Sequence, residues 1–167
     1  KLIAISSLNN ERLKSFKENF KIDKNFVFDN YNDLISCNEV DAVYIATVNN
    51  SHVKLIKMCA ENKKNILCEK PIALNFQEAK DAADYINKYN VIFYEALAYY
   101  SHGQTKNLIG LINEKKLGKI ISINSTFGFK VKRINPKSRI FDKSLGGGSI
   151  LDIGCYPLSL LNLFFKN

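Results

Sequence analysis

The chain has 167 residues, of which 46% are hydrophobic, 11% aromatic and 24% charged. That is ordinary globular composition, enough for one domain or two small ones with a real core, and it excludes disorder, collagen-like repeats and low-complexity tails. The net charge of +8 is carried mostly by singly spread lysines, and no apolar run approaches the roughly 20 residues of a membrane helix or makes a secretory leader.

In chain order, residues 1–6 (KLIAIS) predict a short strand, and residues 9–20 an amphipathic helix with Leu13, Phe16 and Phe20 on one side. Residues 26–28 are a second short apolar run, and residues 31–36 a short helix. The continuous apolar character of residues 40–46 (VDAVYIA) predicts a buried strand. Ser51 is positioned to cap a helix running to about residue 62, with Val53, Ile56 and Ala60 facing inward. Residues 65–68 (NILC) make the next strand. Asn75 then caps a helix through residue 89, where Glu78 completes a capping-box-like pattern. Residues 91–94 (VIFY) are another strand. Strands separated by helices of about ten residues or more are the signature of a parallel α/β sheet.

After Glu95 the rhythm changes. A helix over residues 104–116 is closed by Gly118. Residues 119–129 follow with Ile121, Ile123, Ser125, Phe127 and Phe129 alternating onto one face, which predicts a long, half-buried, antiparallel strand. A boundary near residues 96–101 divides the chain into 1–97 and 98–167. The second part has one strand, a basic loop and a terminal helix, and a lone strand cannot form a sheet.

Three places carry chemistry. Cys68-Glu69-Lys70-Pro71 directly follows a strand, where open α/β sheets bind ligands. The same residues also suit a plain turn stopped by proline, and the Lys70–Pro71 bond is a candidate for the cis form. Gly146-Gly147-Gly148-Ser149 precedes a helix in which Ser149 is the expected N-cap. Asp152 and Tyr156, four apart, share a face if that helix is regular. Gly154 and Pro157 make a break between them an alternative. Thr47-Val48-Asn49-Asn50-Ser51-His52 offers donors at a helix start, with His52 expected as a cap or surface residue rather than a catalyst. The dense basic stretch of Lys130, Lys132, Arg133, Lys137, Arg139 and Lys143 lacks the interleaved aromatics of a single-strand platform and matches no helix-turn-helix or finger spacing. It reads as a solvated loop or as a loop meeting an anionic substrate or cofactor phosphate. Cys37, Cys59, Cys68 and Cys155 form no C-x-x-C pair, so reduced thiols and no metal cluster are expected.

Taken together, DAVYIATVNNSH (41–52), CEKPIAL (68–74), YEAL (94–97) and GGGSILDIGCYPL (146–158) resemble the Gfo/Idh/MocA family of NAD(P)-dependent oxidoreductases. Their order and spacing span nearly the whole chain. The Tyr-Pro at 156–157 is most similar to the branch of dihydrodiol dehydrogenase and glucose-fructose oxidoreductase. The resemblance implies a Rossmann-like parallel sheet followed by an α/β substrate domain with an open antiparallel sheet. It implies Lys70, Asp152 and Tyr156 as the catalytic set, Tyr156 transferring the proton while Lys70 lowers its pKa. Cofactor contacts are implied at Ser6, Ser7, Ala46, Thr47, Asn49, His52, Glu69, Lys70 and Glu95. The first two would meet the adenosine ribose, and Thr47, Asn49, His52, Glu69 and Lys70 the nicotinamide half.

Against that pattern, the sequence starts at what would be the second strand and lacks the G-x-G-x-x-G loop that holds pyrophosphate. The expectation is therefore a sheet without its first βα unit, an internal fragment of a longer enzyme, and weak or absent dinucleotide binding by these residues alone. Val48 replaces the proline usual after Thr47, and residues 100–103 replace an expected Arg-x-x-Pro. Ser7-Leu8 offers neither the acid that holds a ribose 2′-hydroxyl nor the arginine that takes a 2′-phosphate, leaving NAD or NADP open. The expected function is hydride transfer between NAD(P) and a sugar, polyol or related cyclic alcohol or ketone. The alternative is a non-catalytic NAD(P)-binding regulator of the same fold. A cytoplasmic homo-oligomer acting on a small molecule, with neither nucleic acid nor membrane as partner, completes the expectation.

Overall fold

The computed structural model describes residues 1–165. Parallel strands β1 (Ile5–Ser6) and β2 (Val27–Phe28) form one small sheet, and β3 (Ala42–Ile45), β4 (Asn65–Cys68) and β5 (Phe93–Glu95) form a second in that spatial order. Between them run α1 (Asn10–Phe20), α2 (Tyr31–Ser36), α3 (His52–Glu61) and α4 (Phe76–Tyr89). Both sheets are parallel, as the alternating pattern predicts, because each strand returns through a helical crossover.

Local chemistry explains the helix ends. Asn9, Asn30 and Asn75 each accept a hydrogen bond from the backbone N–H three residues on, capping α1, α2 and α4. Glu78 bonds back to the Leu74 N–H and the Asn75 amide, a variant of the expected capping box. Ser51 does not cap α3 with its side chain. Its hydroxyl bonds the Val48 carbonyl, and a 3₁₀ turn at Asn49–Ser51 leads into the helix instead.

The core lies on one face of the three-stranded sheet, where Ile45, Ile66 and Cys68 meet Leu55, Ile56, Cys59 and Ala60 of α3 and Ala82 of α4. Each fully buried aliphatic side chain contributes roughly 1.5–3 kcal/mol. The expectation of a buried 40–46 strand fails on the other face. Tyr44, Leu67 and Tyr94 lie in cross-strand register there, and all three are exposed. Continuous apolar sequence hid an alternation that the one-sided helical cover makes plain.

Beyond Glu95 the chain forms a 3₁₀ turn at Ala98–Ser101 and then α5 (Gly103–Asn113). That helix ends earlier than residue 116 because Lys115 already adopts a left-handed conformation, with φ of 55°. The strand expected over residues 119–129 is not formed. Among the described residues no segment pairs with it, and a strand exists only through its ladder. Nor does Ser149 cap the last helix. A π-helical turn at Ile150–Gly154 tightens into α6 (Cys155–Phe165), so the helix is irregular there but the break that Gly154 and Pro157 allowed is not formed. No helix among the described residues is long and apolar enough to cross a membrane.

Candidate functional site

Parallel register aligns Ile45 with Cys68 and Cys68 with Glu95, so the residues leaving β3, β4 and β5 emerge side by side. The Glu69 N–H donates to the Ile45 carbonyl at 2.9 Å, and the Ala96 N–H to the Cys68 carbonyl at 2.7 Å. Lys70–Pro71 is cis. Glu95 Oε1 accepts from the Ile72 N–H at 2.9 Å, tying the turn to the end of β5.

His52 is fully buried at the start of α3, neither cap nor surface residue. Its Nδ1 lies 2.8 Å from the Pro71 carbonyl and its Nε2 3.2 Å from the Thr47 carbonyl. It thus lies between two strand-end turns, the neutral ring donating its one N–H to one of these carbonyls. The Thr47 hydroxyl is 2.6 Å from that of Ser51. Ala46 is exposed, while Thr47, Glu69 and Lys70 are half-buried.

The glycine-rich loop docks onto this edge. Asn49 Nδ2 donates to the Gly146 carbonyl at 2.9 Å, and Asn50 Nδ2 to the Ser144 carbonyl at 2.8 Å. Gly146 has φ of 78°, and a Cβ there would overlap Leu74 and Asn49. That close approach is why glycine is required. From Gly148 the backbone turns so that the Asp152 N–H bonds the Gly148 carbonyl, and Asp152 arrives beside Lys70.

Lys70, Asp152 and Tyr156 are therefore brought together. Lys70 Nζ donates to the Asp152 backbone carbonyl and lies 3.7 Å from its Oδ1. The same ammonium sits 5.0 Å from the centre of the Tyr156 ring, a cation–π contact. Asp152, only 5% exposed, takes a stronger bond from Arg139 Nη1, 2.8 Å from Oδ1. The sequence placed Arg139 within a basic stretch read as solvated or as meeting an anionic ligand; the loop's fold instead brings it to Asp152.

Tyr156 is framed by Phe127, with ring centres 4.9 Å apart, and by Tyr99 edge-on at 6.1 Å. The Tyr99 hydroxyl donates to Ser159 Oγ, which donates to the Tyr156 carbonyl. Alternation had placed Phe127 on a strand face, whereas Tyr99 and Ser159 were not singled out in the sequence. A cavity of about 280 Å³ opens beside them, with Gln104, Thr105 and Ser125 also in its wall.

The expected lowering of the Tyr156 pKa is not found. Burial raises it, and the neighbouring Cys155, Glu69 and Asp152 push the same way. Lys70 meets the ring face, and desolvation dominates. Tyr44, which donates to Glu69 Oε1 at 2.5 Å, is pushed up to about 12 by that bond. Burial raises the thiols of Cys59 and Cys68 to about 12, and all four cysteines are free.

Of the remaining positions, Glu95 joins the strand ends, whereas Asn49 and His52 spend their polar groups inside the protein. Ser6 and Ser7 lie at the tip of β1 in the other sheet, bonded to the Asn30 carbonyl and the Asn9 N–H.

Residues 1–97 match the family model described as "Oxidoreductase family, NAD-binding Rossmann fold", and residues 106–167 match the GFO/IDH/MocA C-terminal domain. The chain is 30% identical over 165 residues to trans-1,2-dihydrobenzene-1,2-diol dehydrogenase of Xenopus tropicalis, covering 99% of this chain and 48% of that protein. It is 33% identical over 137 residues to D-xylose 1-dehydrogenase (NADP(+)) 2 of Haloferax volcanii, covering 82% and 42% respectively. Among solved structures, a 3-ketoreductase from Actinomadura kijaniata, in complex with TDP-benzene and NADP, superposes with a TM-score of 0.82. The two are 26% identical, over 99% of this chain and 48% of that one. The chain thus spans about half the length of the curated relatives it matches. The chain belongs to the Gfo/Idh/MocA oxidoreductase family.

Proposed function

We propose that this chain forms the catalytic edge of an NAD(P)-dependent oxidoreductase acting on a sugar, polyol or related cyclic alcohol or its ketone. The observation that carries the reading is the convergence of Lys70, Asp152 and Tyr156, contributed by two distant stretches of sequence, at the ends of parallel strands. Relatives whose names specify diol and xylose dehydrogenases support the substrate class. The division into a dinucleotide-binding part over residues 1–97 and a substrate part from residue 98 belongs to the same reading.

A nicotinamide ring fits the open strand ends, where Ala46 is exposed and Thr47, Glu69 and Lys70 remain accessible. Those four residues would hold it, with Glu95 fixing the turn beneath and Ser6 and Ser7 reaching the adenosine ribose. A bound NAD(P) supplies or accepts the hydride at the substrate carbon. Both cofactor forms suit the sequence.

Tyr156 moves the proton. With its pKa raised, the phenol stays protonated through neutral pH, the form needed to donate to a carbonyl oxygen during reduction. Oxidation of the alcohol instead requires the phenolate. Lys70 presents an ammonium to the same substrate oxygen, and Asp152 orients that ammonium. The cavity of about 280 Å³ beside Tyr156 lies just under the roughly 300–1,000 Å³ common for small-ligand sites. A cytoplasmic homo-oligomer, pairing through its C-terminal sheet when full length and working on small molecules without nucleic acid or membrane, completes the proposal.

The test uses the full-length protein with NADH and NADPH over a sugar and polyol panel. Tyr156→Phe should lower turnover by about 10²–10⁴, and Lys70→Met should act in the same range. Reduction should hold steady through neutral pH and fall as pH rises past the ordinary tyrosine value of 10.0, while oxidation climbs over that span. Cofactor binding without turnover on the whole panel would favour a regulator, and undiminished turnover in Tyr156→Phe would overturn the proton-transfer role.

A further inference from the structure

We propose that Arg139 is a positioning residue of this site: by holding the Asp152 carboxylate, it leaves the Lys70 ammonium against the Tyr156 ring instead of in a tight ion pair. The inference rests on the oxidoreductase reading for its kinetic consequence, but its geometry stands separately.

Asp152 Oδ1 has two cationic neighbours at unequal distances. Arg139 Nη1 is at 2.8 Å, a charge-assisted hydrogen bond, whereas Lys70 Nζ is at 3.7 Å, beyond hydrogen-bond reach. Lys70 bonds the Asp152 backbone carbonyl and faces the Tyr156 ring at 5.0 Å. A carboxylate only 5% exposed and without the guanidinium would draw the nearest cation, and that cation is Lys70.

The loop is shaped to deliver Arg139. The Gly148 N–H bonds the Ile140 carbonyl at 2.8 Å and the Gly147 N–H bonds the Asp142 carbonyl at 2.8 Å. The Asp152 N–H then bonds the Gly148 carbonyl at 3.0 Å, closing a backbone path from residue 140 to residue 152. A Cβ on Gly147 would come within 2.7 Å of the Asp142 carbonyl oxygen, so this closure needs glycine. Of the six basic residues between 130 and 143, Arg139 alone reaches a carboxylate among the described residues. Its own side chain is about half exposed, so its charge is within reach of solvent, while the carboxylate it holds is buried.

The experiment compares Arg139→Ala, Arg139→Gln and Arg139→Lys in the full-length protein. Ionisation of Tyr156 is followed by NMR of isotope-labelled tyrosine without cofactor or substrate, with Tyr156→Phe for assignment. Steady-state kinetics then separates kcat from KM. With Arg139→Ala, Tyr156 should titrate about half a pH unit or more further into the alkaline range, because the Asp152 charge is no longer shared. Turnover should fall about tenfold or more, while KM for cofactor stays within about twofold. Arg139→Gln, which lacks the charge, should follow the alanine variant; Arg139→Lys should recover most of both readouts.

Unmoved titration and turnover in folded Arg139→Ala and Arg139→Gln would overturn the proposal. Should Arg139→Ala fail to fold, identical Tyr156 titration in Arg139→Gln and Arg139→Lys would overturn it equally. If the unsubstituted protein turns over nothing, the oxidoreductase reading fails, and the NMR shift still decides the role of Arg139.

Discussion

Residues 1–97 and residues 98–165 differ in how far a side chain must look for its partners. In the first region β3, β4 and β5 pair in sequence order through single helices, and the whole buried cluster lies between Ile35 and Ala82. In the second, residues 119–129 pair with nothing among the described residues, and Ile121, Phe127 and Phe129 stand exposed. Yet the second region supplies Asp152 and Tyr156. The lesson is that a platform with its own core carries Lys70, while Asp152 is held by polar ties and glycine fits and Tyr156 by aromatic neighbours.

The largest effect should come from the platform. Ile56 has no exposed surface and sits at the centre of the buried cluster. Ile56→Ala removes packing that α3 and β4 cannot close up, and should cost about 3–4 kcal/mol in denaturant unfolding. A loss below about 1 kcal/mol would mean that the three-stranded sheet is not the stable half.

The next effect falls on the joint between regions. Gly146→Ala meets both a left-handed backbone and the overlap with Leu74 and Asn49, and should cost about 2–4 kcal/mol. The comparison predicts where that cost appears. Amide exchange should accelerate over residues 142–152 while the amides of β4 keep their protection. Equal acceleration in both places would make the two regions one cooperative unit.

The same contrast explains what could be read in advance. The parallel architecture, the 65–68 strand and the Asn75 cap were legible because each depends on neighbours within about one βαβ unit. Lys70, Asp152 and Tyr156 were singled out through family motifs, and the structure puts Lys70 beside each of the other two. Arg139 was not, because its partner is reached only after a loop closes through Gly147 and Gly148. The direction of the Tyr156 shift was misjudged for a related reason. A nearby lysine is visible in sequence motifs, but burial and a ring-face approach are not. His52 likewise reads as a surface cap until two turns close over it.

The smallest effect is expected at Ile121, which alternation assigned to the buried face of a strand but which is 92% exposed. Ile121→Thr keeps β-branching and removes only apolar surface that already faces water, so its effect on unfolding should stay within about 0.5 kcal/mol. Measured beside Ile56→Ala, it sets the scale of the difference between the two regions. A loss above about 1.5 kcal/mol would mean that this side chain is covered in solution by another part of the protein or by a second copy. Repeating the melt across protein concentrations separates those two cases, because only stabilisation by a second copy weakens on dilution.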